Sequence, residues 1–316
     1  MNNELKLINF ENDIQSTEVE WLWKPYIPYG KITIIQGDPG CGKTMLAAYI
    51  ISRLSKGLDF ETDEVVRKPI KAIYLTGEDG LADTIKPRLE KFNASCEFIY
   101  SIDDYNQALS MKDNRLEKAL IETGSNVLIM DPLQAYLGSN VDMHRANEVR
   151  PVLKHVAGLA EKYNCAIILI GHMNKSSNKA QYRSVGSIDL TACARSVLTM
   201  GVVGENQEVR ALVQTKNSLE SYGSPIGFKF SDEYFFEYIG DYKITIEELL
   251  QGSNGENKLE LAKNLITSTM EQGSAESNYM LELGKQNNIS ERTMKTAKAK
   301  LKIKSVKSGD AWFWQN

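Results

Sequence analysis

The octapeptide Gly37-Asp38-Pro39-Gly40-Cys41-Gly42-Lys43-Thr44 constrains this chain more than any other stretch. It is a complete P-loop, G-x-x-x-x-G-K-[ST]. The apolar run Lys31-Ile32-Thr33-Ile34-Ile35-Gln36 leads into it, and Met45-Leu46-Ala47-Ala48-Tyr49-Ile50-Ile51 follows it. Strand, glycine loop and helix is the context in which the motif binds phosphate. Its glycines let the backbone N–H groups turn inward, and the helix N-terminus adds a favourable dipole. Residues 37–45, from Gly37 through Asp38, Pro39, Gly40, Cys41, Gly42, Lys43 and Thr44 to Met45, are therefore the expected ATP-binding segment. Lys43 is expected on the β- and γ-phosphates and the Thr44 hydroxyl on Mg2+.

The rest of the first 250 residues fits an α/β fold. Short apolar runs at 32–35, 70–76, 126–130 and 166–170 alternate with helical patterns at 44–54, 81–93, 115–123 and 146–163. That alternation predicts a mainly parallel sheet covered on both faces. Segments 208–215, 226–230 and 234–238 lie close together and predict antiparallel strands at one sheet edge. No apolar run approaches the roughly 18 residues of a membrane span. Four cysteines without a CxxC pair, and no basic-then-apolar leader, fit a reducing cytoplasm.

ATP chemistry needs further groups beyond the loop. Val127-Leu128-Ile129-Met130-Asp131 is an apolar strand ending in a carboxylate, and Asp131 is the expected second Mg2+ residue. Hydrolysis also needs a base for water. Ala72-Ile73-Tyr74-Leu75-Thr76 runs into Gly77-Glu78-Asp79, which makes Glu78 the expected base and Asp79 its competitor. A helix cap is the structural alternative for both. The strand Ala166–Ile170 runs into Gly171-His172-Met173-Asn174-Lys175, and His172 at that strand end can sense the γ-phosphate.

The chain changes character after residue 250. Residues 251–256, Gln-Gly-Ser-Asn-Gly-Glu, read as a linker. Residues 257–316 carry ten Lys/Arg against six Asp/Glu, so with a total of −4 the remainder carries −8. Helices are expected at 259–270, 278–286 and from Ser290 to about Leu301, then two short strands around Gly309. This is the outline of a winged helix-turn-helix, with Arg292, Lys295, Lys298 and Lys302 placed to meet DNA. The run Trp312-Phe313-Trp314 is expected to pack the small core rather than stack on bases.

Together these motifs resemble RecA-like hexameric ATPases of the plasmid RepA helicase type, which occur in phages and mobile elements. The likeness runs over about residues 20–240. It is carried by Trp23–Lys31 before the P-loop, Tyr74–Asp79 through Arg88-Leu89, Asp131-Pro132-Leu133, Asn147–Arg150, Gly171–Lys175, and Arg183–Ser187 with Ala194-Arg195. The resemblance implies a ring with ATP between subunits, Glu78 as catalytic carboxylate and His172 as sensor. It also implies a basic finger from the neighbour, in a Lys-x-Arg pattern on a late strand. Here that stretch reads Thr215-Lys216-Asn217-Ser218: Lys216 fits, Ser218 departs, and Arg183, Arg195 and Arg210 are the alternatives. Single-stranded DNA in the pore is expected to meet two loops, 133–145 and the one that bears Lys175, Lys179 and Arg183. The leading expectation is a DNA helicase or translocase; the alternative is a nucleotide-switched loader or recombination ATPase that unwinds nothing.

Overall fold

The computed structural model describes residues 7–139, 141–143, 145–173, 188–203, 208–230, 235–251, 256–270, 273–287, 289–309 and 311–315. Strands β1 (Trp21–Trp23) and β2 (Ile27–Pro28) make a small antiparallel pair. β3 (Ile32–Gly37) passes through the glycine loop into α1 (Lys43–Ser55). β4 (Ala72–Thr76) is followed by a π-helical turn (Leu81–Ile85), α2 (Lys86–Lys91) and the two-residue β5 (Ile99–Tyr100). Then come α3 (Asn114–Thr123), β6 (Val127–Asp131), α4 (Ala146–Lys162) and β7 (Ala166–His172). α5 (Ile188–Cys193), β8 (Ser196–Val202), β9 (Val209–Asn217), β10 (Ile226–Lys229), β11 (Glu237–Asp241) and α6 (Ile246–Gln251) complete this part.

One nine-stranded sheet organises these elements, in the order β11-β10-β9-β8-β3-β7-β6-β4-β5. From β8 to β5 the neighbours are parallel; from β8 to β11 they are antiparallel. The parallel strands are apolar on both faces because both faces are covered. On β7, Ile168 and Ile170 pack with Leu46, Ile50 and Leu54 of α1, while Ile167 and Leu169 pack with Val152, Leu153 and Val156 of α4. This is the expected α/β fold with a mainly parallel sheet and antiparallel edge strands.

Three features differ from expectation. β8, an apolar run to which no strand was assigned above, lies beside β3 at the sheet centre. Its Ser196 and Thr199 are buried, and Gln214 and Gln36 donate to their hydroxyls at 3.0 and 3.1 Å. The segment 81–93 is not one regular helix but the π-helical turn followed by α2, with Pro87 at the start of α2. The last strand lies at Glu237–Asp241 rather than 234–238, and its pairing with β10 shifts register between Gly227 and Phe228.

The C-terminal residues form a separate cluster. α7 (Glu256–Met270), β12 (Ala275–Glu276), α8 (Ser277–Gln286), α9 (Glu291–Lys300), β13 (Lys304–Ser308) and β14 (Ala311–Gln315) follow one another, with the strands ordered β12-β14-β13. Ile266, Met280, Met294, Ala297 and Trp314 are buried together. The Ser290 hydroxyl accepts from the Thr293 N–H at 3.2 Å, capping α9 as its sequence foreshadows. No helix among the described residues is long and apolar enough to cross a membrane.

Candidate active site

The P-loop sits where β3 hands over to α1, and its geometry explains its composition. Gly42 has φ of 99°, a left-handed conformation that a side chain resists, and caps the start of α1. A Cβ on Gly37 would come within 2.2 Å of the Met200 carbonyl oxygen, so the loop packs directly on β8. Lys43 is only 4% exposed. Its ammonium turns into the loop and donates to the carbonyls of Gly37 at 3.0 Å and Asp38 at 2.8 Å. Burial also pushes the Cys41 thiol up, so Cys41 acts here as packing and not as a nucleophile.

The other expected residues come from the ends of neighbouring strands. Gly37 pairs in register with His172 of β7, and Thr76 of β4 with Asp131 of β6. Parallel strands thus deliver the P-loop, Asp131, Glu78 and His172 to one carboxyl edge, where open α/β sheets bind ligands. Asp131 is buried and accepts from the Tyr74 hydroxyl at 2.8 Å and from Thr44. Burial raises its carboxyl above the usual range, against the pull of those two hydrogen bonds and of Lys43. The Tyr74 phenol is held well above its ordinary range, by burial first and by Asp131 second.

This donor set fits Mg2+ nucleotide. The Lys43 ammonium has partners that phosphate oxygens can replace, and a buried carboxylate gains from a divalent cation. No cluster of three His, Cys, Asp or Glu side chains suited to a metal occurs among the described residues. Thr44 and Asp131 could hold Mg2+ only with phosphate and water oxygens completing the shell, which is how Mg2+ is usually bound.

Glu78 and Asp79 are in different situations. His172 Nε2 lies 3.8 Å from Glu78 Oε2, and the Glu78 side chain is 65% exposed at the mouth of the site. His172 Nδ1 is buried and has no hydrogen-bond partner among the described residues. Asp79 is tied down: Arg88 donates to its carboxylate at 2.7 Å, its N–H donates to the Thr76 hydroxyl at 3.0 Å, and that hydroxyl donates back to its carbonyl at 2.9 Å. The Asp79 carboxylate is thus engaged by Arg88, while that of Glu78 is open to meet a water at the phosphate site. Asp79→Asn is expected to keep turnover within a few-fold and to cost about 1 kcal/mol of stability. Turnover lost as completely as in Glu78→Gln would move the base to Asp79.

The basic candidates scatter. Lys216 donates to the Thr191 and Ala192 carbonyls at 2.8 and 3.0 Å, near the end of α5, and burial lowers its pKa. Arg195 is exposed just beyond α5. Arg210 of β9 lies beside its own chain's P-loop, with its guanidinium carbon 5.3 Å from the Phe230 ring centre. That ring covers Gly42, where a Cβ would meet Phe230 Cζ at 2.8 Å. Sequence reading missed Phe230 and Tyr74, since neither has a local motif and both act through residues far along the chain. Lys175, Lys179 and Arg183 lie outside the described residues. In the other expected DNA loop, Leu133, Tyr136 and Leu137 are buried, and Arg145 pairs with Asp142 and Glu148. On α9, Arg292 and Lys295 are exposed, as is Lys302 beyond it. Lys298 instead turns to the hairpin, bonding the Ser305 hydroxyl and lying 5.1 Å from the Trp314 ring centre.

Comparison with known proteins adds three findings. The model of the AAA domain family matches residues 3–178. The chain is 24% identical over 230 residues to the DNA repair protein RadA of Streptococcus pneumoniae (strain ATCC BAA-255 / R6), covering 72% of this chain and 48% of that protein. It is 23% identical over 229 residues to DNA repair protein RadA of Listeria monocytogenes serovar 1/2a (strain ATCC BAA-679 / EGD-e), covering 72% and 45%. The chain thus spans about half the length of the curated relatives it matches. Among solved structures, the ATPase domain of G40P superposes with a TM-score of 0.51 at 12% identity, over 67% of this chain and 85% of that one.

Proposed function

This chain belongs to the AAA domain family and is a P-loop ATPase of RecA-like fold, and from that premise we propose that it is an ATP-driven DNA motor, a helicase or translocase of the ring-forming RepA type. One observation carries the catalytic half of this reading: the pairing of Glu78 with His172 beside the P-loop, with Asp79 held away by Arg88. In this reading Lys43 binds the β- and γ-phosphates, and Thr44 and Asp131 hold Mg2+. Bound Mg2+ supplies charge neutralisation at the phosphates. Glu78 takes the proton from the attacking water. His172 reports the γ-phosphate through its contact with Glu78. Phe230 and Arg210 stand beside Gly42 and Cys41 of the P-loop, which favours a role for Arg210 toward its own nucleotide rather than a neighbour's.

DNA as partner is supported by the basic composition of 257–316 and by the DNA repair relatives. We assign 1–250 to the ATPase domain, 251–256 to a linker and 257–316 to a winged helix-turn-helix, with Arg292, Lys295 and Lys302 toward DNA. A homo-oligomeric ring, hexameric by the resemblance, brings Lys216, Arg195 or Arg183 to a neighbour's site, and Lys175, Lys179 and Arg183 to the pore.

Ser218, at the position where the finger arginine is expected, favours a second reading, a recombination or loader ATPase that switches on DNA without unwinding it. Steady-state ATPase rate with and without single-stranded DNA separates the two, with Glu78→Gln as the blank. A motor is expected to be stimulated at least about tenfold, roughly 1.4 kcal/mol of barrier. A slow rate indifferent to DNA supports the switch.

A further inference from the structure

The three aromatic residues near the C-terminus do not share one fate. Cross-strand pairing sets Ser305 opposite Trp314 and Lys307 opposite Trp312. Because side chains alternate along a strand, these four residues occupy one face of the β13–β14 hairpin. Trp314 is 2% exposed, packed under α9 with Met294 and Ala297, and its indole N–H donates to the Ser277 hydroxyl at 2.9 Å. Trp312, two residues nearer the Gly309 turn, reaches beyond that core and is 52% exposed. Lys307 is exposed beside it. Lys298 closes over the buried Trp314 and bonds Ser305, so on this face Trp312 is the indole left open beside Lys307.

An exposed indole with an ammonium group beside it matches one kind of ligand best. Lysines attract phosphate, and an indole offers a flat face to a base. Base faces are available only where strands are unpaired, because in a duplex they are stacked on their neighbours. We infer that the β13–β14 hairpin is a single-stranded nucleic acid site in which Trp312 stacks on a base and Lys307 contacts the adjoining phosphate. This rests on the DNA reading above, and adds to it both the residue and the strand state that it recognises.

The test uses the full chain and a fluorescein-labelled oligothymidylate, with a duplex of equal length as comparison. Anisotropy titrations are run at several salt concentrations for the wild type, Trp312→Ala, Trp312→Phe and Lys307→Ala. Trp312→Ala is expected to weaken single-strand binding about tenfold and leave duplex binding unchanged, while Trp312→Phe retains most of the affinity. Lys307→Ala is expected to lower the salt slope by about 0.7. Binding is expected to quench indole emission in the wild type and to lose that quench in Trp312→Phe. Equal affinity of Trp312→Ala and wild type for the single strand overturns the inference and leaves the DNA reading standing. A loss that accompanies a changed oligomeric state on a sizing column overturns it in favour of an interface between copies. A wild type that binds neither oligonucleotide overturns the DNA reading and this site together.

Discussion

Lys43→Ala is expected to abolish nucleotide binding at any concentration near the wild-type Kd. The ammonium is the only side-chain cation bonded inside the loop among the described contacts, and it is already desolvated there by its 4% exposure. Hydrogen bonds to charged groups contribute about 1.5–3 kcal/mol each, so losing two of them to phosphate weakens binding by roughly 10²- to 10⁴-fold. The variant also leaves the Gly37 and Asp38 carbonyls without the ammonium, a cost of about 1 kcal/mol that thermal unfolding will register. Titration with a fluorescent ATP analogue measures the effect directly. A folded Lys43→Ala protein that binds nucleotide as the wild type does removes the P-loop from the mechanism.

Glu78→Gln is expected to do the opposite: binding intact, turnover lost. Glutamine keeps the shape of the side chain beside His172, but it cannot accept a proton from water. A positioned general base contributes about 10²–10⁴ in rate, and that is the loss expected in kcat. Glu78 is largely solvent-exposed, so little stability should change with it. Measuring ATP affinity and turnover on the same preparation checks both halves. Turnover within a few-fold of wild type would discard Glu78 as base. Weakened binding with kcat unchanged would make it a phosphate-site residue instead.

Much of the candidate site could be read along the chain because each part is local. The P-loop is eight consecutive residues, and Asp131 and His172 each end an apolar run that parallel register brings to the same edge. β8 carries its own apolar signal in Val197, Leu198, Met200 and Val202; what such a run does not report is its central place beside β3, where Gln36 and Gln214 satisfy the buried Thr199 and Ser196. The choice between Glu78 and Asp79 depended on Arg88, nine residues on, whose approach to Asp79 follows from how the π-helical turn aims α2. The aromatic packing of Phe92, Phe228 and Phe236 around Tyr49 joins segments far apart in sequence, which no periodicity reports. The hairpin aromatics were legible as strand but not as one buried and one exposed indole, because that depends on where α9 ends above them.

The two rims of the large sheet limit how copies of this chain can meet. One rim is β5, two residues long; the other is β11, irregular in its pairing with β10 and bounded by Glu237 and Asp241. Short strands, irregular register and charged ends all discourage a further strand from adding to a sheet. Neither rim is a template for backbone pairing with a second molecule. In the ring proposed above, contacts between copies would then fall to loops, helix surfaces or the smaller sheets rather than to an extension of this one. Side-chain contacts of that kind can break and re-form as the nucleotide changes, where a continuous intermolecular sheet would hold the copies rigidly together.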